Sequence, residues 1–180
     1  NKILSWGDLK KKDRKFYKIG YQKNFEKKKY ELQEIKRIDI LFSDLSQNYS
    51  LVDININFYV YILHFFSKHI QKVQIRVILY NDKINKFNVE KIKYLKKRFK
   101  TIKFILHNGK LFEPEERNNS ILIIPYHTTA IHEAFLQNAP FFIFLNDYIY
   151  DYDSSFKKIK KVLNSSKIGF SSLNEIKKII

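Results

Sequence analysis

Asn119–Asp147, with the sequence NSILIIPYHTTAIHEAFLQNAPFFIFLND, carries the clearest structural signal in this 180-residue chain. It predicts a buried strand over Ile121–Ile124, a PYHTT turn, a short helix over Ala130–Asn138 and a second buried strand over Phe141–Leu145. A strand that leads directly into a helix gathers free backbone N–H groups and the positive end of the helix dipole at one point. The pattern therefore predicts an anion-binding turn suited to phosphate.

Apolar runs and helical periodicity alternate along the rest of the chain from Ile38 onward. The strand runs are almost entirely apolar, which is typical of a parallel sheet covered by helices on both faces. We therefore predict an α/β fold, a Rossmann-like open parallel sheet with helices on both faces. The further predicted strands are Ile38–Phe42, Gln74–Tyr80, Thr101–Leu106 and Ile168–Phe170, and the further helices are Asp53–Ile70, Asn88–Lys100, Ser155–Leu163 and Ser172–Ile180.

Residues 1–37 differ from the regular part of the chain. They are rich in lysine, with short apolar islands and two of the four glycines, and they predict a basic connecting segment ahead of a nucleotide-binding domain over residues 38–180. The chain contains no methionine and opens on Asn1, and nothing near that residue resembles a signal peptide. We expect it to be a fragment of a longer product.

The formal net charge of +16 invites a nucleic-acid interpretation. However, Lys, Asn, Ile, Tyr and Phe supply 98 of the 180 residues, which is the composition that a genome rich in A and T produces. The basic residues divide into 29 Lys and 5 Arg, whereas phosphate and base recognition favour the bidentate guanidinium of arginine. Much of the charge is thus expected on a solvated surface, and what remains favours an anionic partner or an anionic membrane surface.

Several functional classes are excluded by the sequence. The chain has no cysteine, so disulfide scaffolds and thiol chemistry are absent. It contains neither a GxGxxG fingerprint nor a Walker A lysine loop, which disfavours a dinucleotide dehydrogenase or a P-loop NTPase. His127, His132 and Glu133 match neither HExxH nor its inverse, so we predict no metal site.

Four residues near the PYHTT turn are candidates for ligand binding. Thr128 and Thr129 are suited to cap the following helix. Glu133 lies one turn into that helix, where it either contacts a ligand or is simply stabilised by the helix dipole. His127 stands at the mouth of the predicted anion site, where the alternative is a loop histidine bonded to backbone.

Arg76 lies inside the predicted strand QIRVILY. An arginine in a buried parallel sheet is costly unless its guanidinium reaches solvent, a carboxylate or a ligand phosphate. The sequence leaves two roles open for it: a residue of the binding site or a member of a structural ion pair.

In this light the chain resembles the C-terminal, donor-binding half of GT-B-type glycosyltransferases, and more narrowly bacterial surface-polysaccharide and lipopolysaccharide biosynthesis transferases. The resemblance covers nearly the whole chain, and the order and spacing of its motifs carry it. The matching motifs are Trp6-Gly7, Ile38–Ser43 with the polar loop after it, Ile75-Arg76 with Tyr80, and Ile121–Pro140 with its Thr-Thr turn, Glu133-Ala134 and Asn138-Ala139-Pro140.

The resemblance implies a nucleotide-sugar donor as substrate, without cofactor or metal, and a glycan or lipid-linked acceptor. The PYHTT turn and helix N-terminus would hold the diphosphate, and Glu133 would bond ribose or sugar hydroxyls. The loop Ser43–Gln47, including Ser43 and Ser46, would line the cleft. The resemblance identifies no catalytic residue in this chain, which we expect to bind donor alone without turning it over. The expected location is cytoplasmic, with peripheral contact at the inner face of the membrane.

Two other functions compete with this one. A polyol-phosphate transferase of teichoic-acid type would share the fold and use a nucleotide-activated polyol phosphate. A basic nucleic-acid-binding module would bind through the lysine surface with a steep salt dependence. The second is disfavoured because the aromatic residues lie mostly on apolar faces and are not interleaved with arginine in polar loops.

Overall fold

Six parallel strands form the central sheet of the protein, seen here in a computed structural model. The structure describes residues 3–5, 16–18, 29–31, 33–42, 52–70, 72–79, 86–107, 109–125, 129–145 and 154–178. The strands are β1 (Ile3–Ser5), β2 (Phe16–Lys18), β3 (Arg37–Phe42), β4 (Gln74–Leu79), β5 (Lys103–Leu106), β6 (Ser120–Ile124), β7 (Phe141–Phe144) and β8 (Gly169–Phe170). The helices are α1 (Val52–His69), α2 (Lys86–Arg98), α3 (Pro114–Arg117), α4 (Thr129–Gln137), α5 (Ser154–Ser165) and α6 (Leu173–Lys177).

The strand order of the main sheet is β5-β4-β3-β6-β7-β8. The chain enters this sheet at its centre with β3 and moves outward through β4 to β5. It then returns to β6 beside β3 and moves outward in the opposite direction through β7 to β8. All neighbouring strands are parallel. This is the doubly wound order in which the direction of winding reverses once, here between β3 and β6. The predicted Rossmann-like α/β fold is confirmed.

Successive residues of a strand point to opposite faces of the sheet, and each face packs against its own set of helices. On the first face, Ile38, Ile40 and Phe42 of β3 pack in one core cluster with α1, α2 and α6. On the second face, Leu41 and Leu122 pack in another with α4, Leu163 of α5 and the Leu111-Phe112 turn. The result is the three-layer arrangement that nearly continuous apolar strands predict.

Every long element of the sheet and its covering helices lies where the sequence predicts it, with ends that shift by one to three residues. Asn138, predicted as the last residue of its helix, has a φ of 58° and follows α4, so the left-handed residue ends the helix at Gln137. The four-residue helix α3 was not predicted, because a single turn is too short to show helical periodicity. No helix in the described part of the chain has the length and apolar character needed to cross a membrane.

The predicted connecting segment is partly described. Its last residue, Arg37, is the first residue of β3, so the sheet begins one residue before the predicted start of the domain. Residues 29–31 and 33–36 run beside the segment before β6, where the amides of Gln33 and Lys36 donate to the carbonyls of Asn118 and Asn119 at 2.7 and 2.9 Å. This part of the segment is tied to the sheet by backbone hydrogen bonds.

Candidate functional site

The reversal of winding between β3 and β6 marks the candidate binding edge. Ile40 is in register with Ile123, so the two strands end side by side at Phe42 and Ile124. In open parallel sheets, ligands bind beyond the carboxyl ends of the strands at this reversal, because the connecting loops diverge there and leave a crevice. The ends of the two strands that precede the predicted loops Ser43–Gln47 and PYHTT therefore lie next to each other.

Helix α4 begins at this edge, four residues after Pro125 closes the run of β6. The backbone N–H groups of its first turn have no partner within the helix, which is the general state of a helix N-terminus. No acidic side chain lies in that first turn. Ala130 and Ile131 are buried beneath it, so the helix start is anchored to the second face of the sheet. The edge thus has the geometry that favours an anion.

The predicted ligand-binding residues fall into two groups. Thr129 is the first residue of α4, and Glu133 lies one turn further along with a half-buried side chain. Four other predicted residues lie outside the described residues: Ser43, Ser46, His127 and Thr128. For those four the contact with a ligand stays a prediction.

Arg76 occupies the third position of the six-residue strand β4, three residues before its carboxyl end. At about 3.3 Å per residue, its backbone lies roughly 10 Å below the candidate binding edge. Its Nε and Nη2 donate to the two carboxylate oxygens of Asp39 at 2.7 and 2.9 Å. Nη2 also donates to Glu116 Oε2 at 3.0 Å. Of the two roles that the sequence left open, the structural ion pair is the one that the structure displays.

Arg76 is one member of a buried charge cluster on the second face of the sheet. The cluster joins Arg37, Asp39, Arg76, Glu116 and Arg117. Arg37 Nη2 donates to Glu116 Oε2 at 2.7 Å and to the Glu116 carbonyl at 2.6 Å. Arg117 Nη2 donates to Asp39. Three of the five arginines of the chain therefore meet around two carboxylates.

Burial within this cluster is uneven. The side chains of Asp39 and Arg117 are 0% and 1% exposed, whereas those of Arg37, Arg76 and Glu116 are 17%, 14% and 32% exposed. Asp39 alone is bonded by all three guanidinium groups. An isolated carboxylate could not stay ionised at such a depth, so the arginines are what keeps this one charged.

The pKa values follow from this geometry. Burial acts to raise the pKa of Asp39, but the hydrogen bond from Arg76 and the charges of Arg117 and Arg37 outweigh it and lower that pKa. Burial lowers the pKa of Arg117 despite the charge and hydrogen bond of Asp39. Arg117 still carries its charge at neutral pH, since guanidinium pKa values start far above that range.

Sequence reasoning missed four of the five cluster residues. Asp39 was visible as the one charge that interrupts the apolar run Ile38–Phe42, and Arg76 as a charge within a strand. Their register partnership joins residues 37 positions apart. Two charges of opposite sign in two predicted neighbouring parallel strands could have suggested the pair, but Glu116 and Arg117 come from the unpredicted helix α3.

Tyr30 fixes the connecting segment to the same region. Its hydroxyl donates to the Phe112 carbonyl at 2.7 Å, and the side chain packs against the second core cluster. Burial, together with the negative charge of Glu113, raises the pKa of Tyr30 to about 12. The phenol is therefore a neutral hydrogen-bond donor at physiological pH.

The described residues contain no group of three or more His, Cys, Asp or Glu side chains that could hold a metal ion. The acidic residues Asp147, Asp151 and Asp153, like His127, lie outside the described residues. The arrangement that the structure does describe is an anion-favouring edge above a buried arginine cluster.

Comparison with known proteins places the chain among transferases, consistent with this edge. No curated protein matches the chain in sequence. A family profile does match it, over residues 1–180, and the description of that family is LIC12162 family transferase. A match over the whole chain shows membership, and the chain belongs to the LIC12162 family of transferases.

Proposed function

We propose that this chain is the donor-binding domain of a glycosyltransferase that moves a sugar from a nucleotide-sugar onto a cell-surface polysaccharide or lipopolysaccharide acceptor. The observation that carries the proposal is the reversal between β3 and β6, with α4 beginning at the same edge. Family membership supports group transfer, and the doubly wound sheet supports a nucleotide as the carrier of the group.

In the proposed complex the donor diphosphate lies at the N-terminus of α4. Backbone N–H groups of the first turn, with the hydroxyls of Thr128 and Thr129, donate to the phosphate oxygens. His127 adds a donor from the turn, and Ser43 and Ser46 line the opposite wall beyond β3. These groups hold charge without a metal, because the helix dipole and N–H donors supply the positive potential.

Glu133 is proposed to accept hydrogen bonds from hydroxyl groups of the ribose or the sugar. A residue one turn into α4 projects from the same end of the helix as the diphosphate, and a half-buried carboxylate forms stronger hydrogen bonds than a fully solvated one. Arg76 has a different part in this proposal. Since it lies roughly 10 Å below the edge and is bonded to Asp39, it stabilises the sheet beneath the site.

The acceptor is proposed to be a glycan or a lipid-linked glycan. The chain would act in the cytoplasm, in peripheral contact with the inner face of the membrane, where its positive charge favours anionic lipid. Family membership supports the transfer of a group, and the sugar, the nucleotide and the acceptor are proposed in addition to it.

A titration of the chain with UDP-, GDP-, CMP- and CDP-linked sugars and CDP-linked polyols tests the proposal. We expect saturable binding of one nucleotide class, and Glu133→Ala should weaken it about tenfold or more, as loss of a charged hydrogen bond does. The matched control is Glu175→Ala, which removes an exposed glutamate from α6 and should leave affinity within about twofold.

Three results would redirect the proposal. Preference for a CDP-linked polyol over every sugar nucleotide would make the chain a polyol-phosphate transferase. Tight binding of RNA or DNA with a steep salt dependence, and no binding of any nucleotide donor, would make it a nucleic-acid-binding module. Equal weakening by Glu133→Ala and Glu175→Ala would remove Glu133 from the site.

A further inference from the structure

A small cavity lies against the arginine cluster on the second face of the sheet. It measures about 30 Å³, and its lining includes Arg76, His107, Lys110, Glu116 and Arg117 beside apolar side chains. Its walls are the ends of β4 and β5 on one side and the segment that leads into α3 on the other. This is not the edge proposed for the donor, because the reversal lies between β3 and β6. With strands about 4.8 Å apart, the two positions are separated by roughly 10 Å across the sheet.

The lining of this cavity is cationic. Arg76, Lys110 and Arg117 face one carboxylate, Glu116. That carboxylate accepts hydrogen bonds from Arg76, which also lines the cavity, and from Arg37, which does not line it, so part of its charge is compensated from outside the cavity. Positive charge in a partly closed, partly apolar pocket is screened less than charge on an open surface. The cavity therefore has a net attraction for an anion.

Arg117 contributes positive potential that nothing in the described chain neutralises fully. Its side chain is 1% exposed, and only Nη2 has polar partners, which are Asp39 and, at 4.0 Å, Glu116. The other two nitrogens, Nε and Nη1, are buried without a hydrogen-bond partner among the described residues. A buried charged donor without a partner is costly, and such groups call for an explanation such as a bound water or ion nearby. An anion in the adjacent cavity would offset this cost electrostatically.

Arg76 and His107 can supply hydrogen bonds to such an anion. Arg76 uses Nε and Nη2 in its ion pairs, and Nη1 makes no hydrogen bond among the residues that the structure describes. The Gly109 amide donates to His107 Nδ1 at 2.8 Å, which places the proton of the neutral imidazole on Nε2 and makes that atom a donor. Lys110 adds an exposed ammonium group at the rim.

The size of the cavity limits what can enter. A water molecule needs about 10 to 15 Å³ of cavity volume, so the cavity holds two or three water-sized groups. A carboxylate has two terminal oxygens and a phosphate group three, so either would match this number. We propose that the cavity binds the terminal oxyanion of a ligand, a phosphate or a carboxylate, through Arg76 Nη1, Lys110 Nζ and His107 Nε2, with Arg117 as the buried positive wall.

Titration with inorganic phosphate, and separately with acetate, tests this site in the 180-residue chain at an ionic strength of about 0.15 M, where exposed lysines are screened. We expect saturable binding of at least one of them, with a shift of the Gly109 amide resonance and a higher midpoint of thermal unfolding. Lys110→Met should weaken binding about tenfold, as loss of a charged partner does. Lys97→Met, which removes an exposed lysine from α2, is the matched control and should change affinity by less than about twofold.

Two outcomes would overturn the site. The first is the absence of saturable binding by either anion, and the second is binding that Lys110→Met and Lys97→Met affect equally, which would assign it to the lysine surface. Lys110 is exposed, so its variant should fold, and circular dichroism checks this. If the site is present, competition shows its source: no displacement of phosphate by a nucleotide-sugar assigns the cavity to a separate ligand, and displacement would mean that a phosphate of the donor lies in the cavity and not at α4. Because the readout is Gly109 and not α4, failure here leaves the donor proposal standing.

Discussion

The two faces of the sheet are buried through different kinds of contact. The first face buries apolar side chains against α1, α2 and α6, and α2 also buries Lys91, which is 3% exposed. The second face buries apolar side chains against α4 and α5, but beside β3 and β4 it also buries Asp39 and Arg117. Apolar packing is non-directional and tolerates small changes in orientation, whereas the ion pairs of a buried charge cluster form only when their groups keep one geometry.

This contrast matters because arginine is scarce in the chain. With 29 lysines against 5 arginines, placing three arginines around Asp39 and Glu116 is a departure from the general composition. The planar guanidinium can bond two oxygens at once, as Arg76 does with Asp39, and lysine cannot reproduce that geometry. The second face therefore fixes α3 and the turn before it relative to β3 and β4, which shapes the cavity above them.

The largest effect is expected from Asp39→Ala. The substitution removes the carboxylate that pairs with three arginines and leaves Arg117 charged and buried, with the Glu116 carboxylate, 4.0 Å from its Nη2, as the counter-ion that remains. Breaking a buried pair in this way costs about 3–5 kcal/mol of the free energy of unfolding. Denaturant unfolding measures it.

Leu63→Ala on the first face is the comparison variant. Leu63 of α1 is fully buried, and its truncation costs about 2–5 kcal/mol through lost burial and a cavity. If Asp39→Ala costs less than about 1 kcal/mol while Leu63→Ala shows its full effect, the charge cluster is not a structural element.

A smaller effect is expected in the pH dependence of the free energy of unfolding, and it distinguishes the second face from the first. The pKa of Asp39 is lowered in the folded protein from its ordinary value of 3.8. A group whose pKa is lower in the folded state stabilises it above the unfolded pKa, and the stabilisation is lost as the pH falls through the folded value. The free energy of unfolding should therefore fall below about pH 4 as this carboxylate is protonated.

Comparison of pH profiles for three chains isolates that contribution. Leu63→Ala should keep the acid-dependent slope of the unsubstituted chain, displaced to lower stability at every pH. Asp39→Asn should show a shallower slope, since the titrating group is gone. Parallel slopes in all three chains would mean that Asp39 does not govern the acid dependence.

The smallest effect is expected from Tyr30→Phe, which removes the hydrogen bond to the Phe112 carbonyl at the margin of the second face. Loss of one partly exposed neutral hydrogen bond costs about 0.5–1.5 kcal/mol. Because the pKa of Tyr30 is raised from 10.0 to about 12, its contribution is complete below pH 10 and is lost as the pH rises towards 12. The free energies of unfolding of the unsubstituted chain and of Tyr30→Phe, each at pH 8 and pH 11, measure the hydrogen bond and its loss with pH. A difference between these two chains that is the same at both pH values would contradict the titration of Tyr30.

The fold was predictable because its signals are local. Apolar runs gave the long strands, helical spacing gave α1, α2, α4 and α5, and both signals lie within short windows of sequence. The edge at which the chain leaves β3 and β6 was also predictable, since parallel strands carry their loops at one end, whereas binding at that edge stays a prediction.

The charge cluster was not predictable because its contacts are tertiary. Asp39 and Arg117 are separated by 78 residues, and α3 is a single turn that no periodicity reveals. Arg76 was recognised as unusual within a strand, but the sequence could not show that its partner lies in register on β3. For Ser43, Ser46, His127 and Thr128, the roles in binding stay predictions.

Mapping where a nucleotide-sugar binds tests the central claim most directly. In a titration followed by backbone amide resonances, the proposed site predicts the largest shifts at Ala130 and Ile131 in the first turn of α4, with smaller shifts at Phe42 at the end of β3. The first-face helices α1 and α2 beyond their first turns should be unaffected. Saturable binding with its largest shifts away from the β3–β6 edge, or no shift at α4 with any nucleotide-sugar, would contradict the assignment of this edge as the donor site.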